Sequence, residues 1–392
     1  MRKYFWLGFL VLALLLWMGQ AQARVSGVCS NCHTMHNSQG GNPMTYDNGG
    51  PYRMLLRGDC VGCHAQAFSN SNATGAIINS IPQVYVIDQG VGSGATLYKF
   101  DDFSSRGILA GGNFWYVTQG DQYGHNVAGL VNKDATLQTP PGFEPNYGGV
   151  ARSSWPAGTQ VTCAGTYGCH GDPSKSDEFV ALSGAHHADD STLDGSTPGK
   201  SYRFLLGIAG VEDPNWELHP SSSAHNGYYA TSITTRGSGN STGTTPDTAS
   251  INFLCAECHG KFHDYVLENS GAYGTSNPWV RHPVDFALSQ AVTSSDNYTQ
   301  YPNPNLFTSV SAVGQYFPDV PLGNTAYGFP VNNNGTVSST VNFTGNDDIV
   351  LCLSCHKAHA SPWPDMLRWD YSACTAGNQN GNCGCFACHT NK

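Results

Sequence analysis

The 392-residue chain is short of charge: Asp, Glu, Lys and Arg make up 12% of it, about half the ~25% of an ordinary soluble domain. Basic residues are the scarcer kind, 18 against 28 acidic ones, which removes the dense positive surface that nucleic acid requires, so no nucleic-acid partner is expected. Beyond the N-terminus there is no long apolar run and no sustained helical or strand periodicity. Segments 231–250 and 331–344, rich in Gly, Ser, Thr and Asn, read as loops or short edge strands. A polar but uncharged surface leaves two meanings open, cover by subunit contacts or the ordinary character of an exported protein.

The N-terminus supplies the one hydrophobic stretch. Arg2 and Lys3 precede an almost wholly apolar run from Tyr4 to Met18, followed by the small residues Ala21 and Ala23. This is the plan of a signal peptide over residues 1–23, with a single mature domain over 24–392 and a secreted destination, extracellular or on the outer cell surface. A retained anchor is the alternative, but the run is shorter than the ~20 residues that cross a bilayer. Without Arg2 and Lys3 the mature chain has 16 basic and 28 acidic residues, a formal charge near −12.

Fourteen cysteines in an exported chain ordinarily mean disulfides, but their spacing says otherwise. Cys-x-x-Cys-His occurs five times, as Cys29/Cys32/His33, Cys60/Cys63/His64, Cys255/Cys258/His259, Cys352/Cys355/His356 and Cys385/Cys388/His389. This is the spacing of c-type haem attachment: both thiols add to porphyrin vinyl groups and the adjacent histidine is aimed at the iron. Structural zinc also uses Cys-x-x-Cys pairs, but it does not require a histidine after each second cysteine.

A sixth motif is stretched, Cys163-Ala-Gly-Thr-Tyr-Gly-Cys169-His170. Its three extra residues are expected to bulge outward, with Gly165 and Gly168 making the bulge sterically feasible. A Cys163–Cys169 disulfide is the alternative. The expected cofactor is thus haem c, six copies covalently attached. Cys374 and Cys383 remain, and a disulfide closing the loop between them is the simplest account, although Cys383 competes with Cys385 in principle.

Each iron needs a second axial ligand unless it is a catalytic centre. Methionine is rare, only Met35, Met44, Met54 and Met366 after the leader, whereas six of the fifteen histidines are used by the motifs and nine remain. The favoured distal ligands are His36, His125, His186, His187, His263, His282 and His359, with His219 and His225 the weakest candidates. His36, His263 and His359 follow a motif so closely that they are expected to point away from that haem and ligate a neighbouring one. With every iron closed by two histidines, the chain is expected to carry electrons and not to be an enzyme; a multihaem reductase would need a vacant iron position or a lysine-type motif.

The expected fold is a multihaem c-type cytochrome, mostly irregular, with short helices at the Cys-His motifs and around 176–187 and few short strands, wrapped around a stacked haem chain. Six apolar rings would occupy the interior, with aromatic side chains packing on their faces, and folding would be coupled to attachment.

In several segments the sequence resembles the OmcS-type extracellular cytochromes of metal-reducing bacteria: 29–41, with Cys-Ser-Asn-Cys-His-Thr-Met-His-Asn-Ser-Gln-Gly-Gly, then 124–129, 255–263, 281–283 and 352–361. The resemblance implies a homopolymeric filament with a continuous line of bis-histidine haems, in which His36 reaches a haem of the next subunit. It also implies electron transfer with envelope cytochromes and external acceptors such as metal oxides. A non-polymeric periplasmic or surface shuttle is the other reading. Around the third motif the sequence departs from that family: the spacing is longer and a nearby Cys-His-x-x-His is missing, with His186-His187 offered later.

Overall fold

The computed structural model describes residues 25, 27–65, 77–78, 81–86, 109–147, 152–233, 246–263, 282, 284–291, 301–307, 309–345 and 347–389. The expected leader, 1–23, and most of the Gly/Ser/Thr segment 231–250 lie outside them. Turns and loops dominate, as expected, and no helix among the described residues is long and apolar enough to cross a membrane.

Regular structure is concentrated where the motifs need it. Cys60–His64 forms one helical turn because Asp59 caps it, its carboxylate accepting from the Gly62 amide at 2.7 Å. Ile251–His259 is the longest described helix, capped by Ser250, whose hydroxyl accepts from the Phe253 amide at 3.2 Å. Such caps satisfy amides that a short helix otherwise leaves without partners. Cys385–Cys388 is a further helical turn, and Cys29–Asn31 and Cys352–Ser354 are 3-10 turns. Around 176–187 a four-residue helix, Glu178–Ala181, precedes the 3-10 turn Ala185–His187.

The third motif differs. Its two halves, Thr162–Ala164 and Gly168–His170, are extended and pair with each other instead of forming a helical turn. The three extra residues do not simply bulge outward. Gly165 takes a left-handed φ of +82°, Thr166 donates its amide to the Lys175 carbonyl at 3.0 Å, and the Tyr167 ring packs edge-on against Trp155 at 5.1 Å. Gly168 serves the close approach of the two halves, since a Cβ there would lie 2.5 Å from Ala164 backbone atoms.

The largest sheet has four strands in the order Asp348–Val350, Leu322–Asn324, Gly227–Tyr229 and Gly210–Val211, with the central pair parallel and the outer pairs antiparallel. Val331–Asn332 pairs with Thr192–Leu193, so segment 331–344 contributes the short strand read from its composition. Around the sheet lie two clusters of buried side chains, one with Phe286, Tyr301, Phe307, Phe317, Trp369 and Phe386, the other with Leu193, Tyr202, Tyr228, Ile251, Ile349 and Leu351. Beside the mostly irregular fold that was expected, the polypeptide has a side-chain core of its own. Tyr301, Phe307 and Phe317 are at most 2% exposed in a conventional side-chain core. Each such burial contributes on the order of 2 kcal/mol, so the C-terminal half has apolar stabilisation of its own.

Candidate functional site: a channel of thiols and imidazoles

One continuous channel of about 2050 Å³ runs through the protein. All six motifs except Cys388 and His389 of the last contribute their cysteines and histidine to its wall, together with His125, His186, His187, His263, His282 and His359.

Two kinds of local device aim five of the six motif histidines. At the first, third and fifth motifs, Nδ1 of the histidine contacts a backbone carbonyl on a strap elsewhere in the chain: His33 on Met54 at 2.9 Å, His170 on Arg203 at 2.9 Å and His356 on Asp365 at 2.7 Å. In each strap the carbonyl-bearing residue and its successor both have left-handed φ, Met54 and Leu55, Arg203 and Phe204, Asp365 and Met366. Non-glycine residues adopt that region at a cost of about 1–2 kcal/mol each. The geometry is held because the successor's carbonyl also accepts from the residue after the histidine, Thr34, Gly171 and Lys357 respectively, at 2.7, 2.7 and 2.8 Å.

At the second and fourth motifs a proline carbonyl takes the same role, Pro82 for His64 at 2.8 Å and Pro141 for His259 at 2.7 Å. With Nδ1 donating to a carbonyl, the proton is fixed there and Nε2 is the nitrogen that carries the lone pair.

Burial favours the neutral, ligating form of these rings. It lowers His64, His125 and His356 below the usual imidazole range and takes His259 down to about 4 and His359 to about 3. Burial also pushes the Cys63, Cys258, Cys355 and Cys388 thiols up to about 12. Thiols that resist forming thiolate resist disulfide exchange, in keeping with the free state of these four cysteines. Cys374 and Cys383 are joined in a disulfide, with Cα atoms 5.1 Å apart, so Cys383 does not compete with Cys385.

The histidines meet in pairs. His33 faces His187 with ring centres 6.1 Å apart, His64 faces His186 at 6.4 Å, His170 faces His359 at 6.4 Å, His259 faces His125 at 6.3 Å, and His389 meets His282 at 6.0 Å. Nitrogen–metal bonds of roughly 2 Å on both sides of one iron, with the ring radii added, give ring centres about 6 Å apart. The side chains therefore fit a haem between each pair, and the channel supplies apolar walls for the ring.

The remaining candidates behave differently. No histidine among the described residues stands opposite His356 at this spacing, and His36 sits on an exposed loop beside Met35, which is 80% exposed. His263 is not brought to any motif histidine. Its Nδ1 lies 2.9 Å from Asp285 and its Nε2 4.0 Å from Sγ of Cys352, with both partners of the ion pair buried. His225 stacks on Tyr316 at 3.6 Å with both ring nitrogens on carbonyls, and His219 is exposed.

The cysteines put the motifs in a line. Cys63 lies in the field of Cys32, the sulfurs of Cys60 and Cys163 lie within 4.8 Å of each other, and Cys258 stands in the field of Cys169, Cys352 in that of Cys255, and Cys355 in that of Cys385. Neighbours in the sequence of motifs are neighbours in space, from the first to the sixth.

A wall of thiol pairs and facing imidazoles, threaded in series, is the interior of a multihaem c-type cytochrome. A family model described as a doubled CXXCH motif matches residues 344–392, the last two motifs. The chain is similar to the C-type cytochrome OmcS of Geobacter sulfurreducens, 27% identical over 396 residues that cover 90% of this chain and 82% of the relative. Two solved structures are also similar. For the Outer Membrane Cytochrome S filament of that organism the TM-score is 0.47 at 20% identity, over 94% of this chain and 100% of that one. For the OmcS nanowires the TM-score is 0.45 at 21% identity, over 92% and 90%.

Proposed function

We propose that this protein is a hexahaem, filament-forming cytochrome that carries electrons outside the cell. Haem supplies outer-sphere electron transfer, with both axial positions of each iron closed. Cys29 with Cys32, Cys60 with Cys63, Cys163 with Cys169, Cys255 with Cys258, Cys352 with Cys355 and Cys385 with Cys388 anchor the six rings. His33, His64, His170, His259, His356 and His389 hold the irons on one side. His187, His186, His359, His125 and His282 close the first, second, third, fourth and sixth irons on the other.

The observation that carries the reading is the unmatched pair of ends. Five facing histidine pairs stand at 6.0–6.4 Å, while His356 of the fifth motif has no such partner among the described residues and His36 is exposed. His36 of one copy serves as the missing ligand of the fifth haem in the next, which makes polymerisation and completion of the wire one event. Kinship with OmcS supports an extracellular location. Envelope cytochromes as electron donors and metal oxides as acceptors complete the proposal.

The test is His36→Ala. The variant is expected to keep the mass of six haems, to show one high-spin iron by electron paramagnetic resonance and to form no fibres under the electron microscope. Normal filaments from it would overturn the bridging role, and a native protein that stays monomeric would make the molecule a soluble shuttle.

A further inference from the structure

A buried ion pair joins the third and fourth motifs. Arg152 is 9% exposed. Its Nε donates to the Thr166 carbonyl at 2.8 Å and one Nη donates to the Gly168 carbonyl, so two of its three arms hold the stretched segment between Cys163 and Cys169. Its other Nη lies 2.9 Å from the carboxylate of Glu257, which stands between Cys255 and Cys258 of the fourth motif. The two side chains are 7% and 13% exposed, well inside the protein.

The position is electrostatically consequential. The two groups that the guanidinium's Nη atoms hold, the Gly168 carbonyl and the Glu257 carboxylate, belong to the residues directly before Cys169 and Cys258, the second cysteines of adjacent motifs. Charges screened by little water act strongly on neighbours, and reduction potentials of haem respond to charge and burial in the surrounding protein. Because a ferric haem carries one more positive charge than a ferrous one, a nearby cation favours the ferrous form and raises the potential, and a nearby anion lowers it.

We propose that Arg152 and Glu257 are positioning residues that set the potentials of the third and fourth haems in opposite directions, with Arg152 also holding the stretched third motif in register. A purely structural clamp would need only the hydrogen bonds to Thr166, Gly168 and Glu257. The proposal needs the balance of charge, and it rests on the reading of both motifs as haem sites.

Spectroelectrochemical titration of the haem-loaded protein at neutral pH separates the two roles. Glu257→Gln keeps an acceptor for Arg152 and leaves one unbalanced cation, so two of the potentials are expected to move upward with haem content unchanged by mass. Arg152→Gln leaves one unbalanced anion, and the same two potentials are expected to fall; Arg152→Lys is expected to restore them. If Arg152→Gln fails to load its third haem, Glu257→Gln still decides the question. Potentials unmoved in Glu257→Gln, or moved in the same direction by both variants, would overturn the proposal. Failure of the underlying haem assignment is distinguished beforehand, as missing haem mass in the unmodified protein.

Discussion

His359 stands three residues beyond His356, yet its ring faces His170 of the third motif at 6.4 Å. The intervening chain explains the reach. The His359 amide donates to the Gly111 carbonyl at 2.7 Å, and its own carbonyl accepts from the His125 amide at 3.0 Å. His125 in turn faces His259 of the fourth motif at 6.3 Å. Gly111 and Gly124 permit this crossing, because a Cβ on either would lie within 2.6 Å of His359 or Ala360. Two histidines are thereby built as one unit, and the segment that follows the fifth motif brings an imidazole to the third.

Replacing His359 with Ala should therefore damage a haem that lies elsewhere. The expected outcome is six haems by mass with one high-spin iron, belonging to the third motif while the fifth remains unaffected. Resonance Raman or paramagnetic resonance spectra of His359→Ala and His170→Ala should report the same lost centre; two separate high-spin signals in the double variant would refute the pairing.

The third motif makes a steric prediction. A methyl group on residue 168 would lie 2.5 Å from the Ala164 backbone, and backbone cannot swing aside as a side-chain tip can. Gly168→Ala is expected to part the strands 162–164 and 168–170 and to yield a chain one haem lighter by mass spectrometry. Full loading of that variant would mean that the two halves tolerate a wider separation than their pairing implies.

The buried His263–Asp285 pair predicts a limit on the alkaline side. Burial works against the charged ring, but the hydrogen bond to Asp285 and its charge raise His263 above the usual imidazole value of 6.5 and towards about 9. A folded-state value raised above the unfolded one means stability that is fully present below about 6.5 and lost as pH rises through about 9. Denaturant unfolding across that window should lose on the order of a few kcal/mol, and His263→Gln should flatten the alkaline limb while lowering stability at pH 6. An unchanged limb would remove His263 from the account.

The motifs and a pool of candidate histidines could be read from the sequence because covalent attachment demands fixed spacing and iron demands imidazole, and the structure brings five of the seven favoured histidines opposite a motif histidine. Pairing could not, since it depends on which backbone segments cross, and nothing in the segment around His359 names residue 170. His263 illustrates the limit: it follows His259 by four residues, and only the structure reveals Asp285 beside it.

The straps were missed for another reason. Their signature is a pair of left-handed residues followed by leucine, Met54-Leu55-Leu56, Arg203-Phe204-Leu205 and Asp365-Met366-Leu367, and side chains such as these give no local hint of positive φ. Arg152, isolated in sequence, carries no comparable signal.

His186 and His187 lie on one 3-10 turn, Ala185–His187, and face His64 and His33 respectively. Successive Cα atoms are held about 3.8 Å apart by covalent bonds. In a haem-loaded chain the distal ligands of the first two irons would thus be tied by a single peptide unit, whereas those of the third and fourth would be tied by the backbone hydrogen bond between His125 and His359. The electronic coupling across the first junction should accordingly be the less sensitive of the two to temperature.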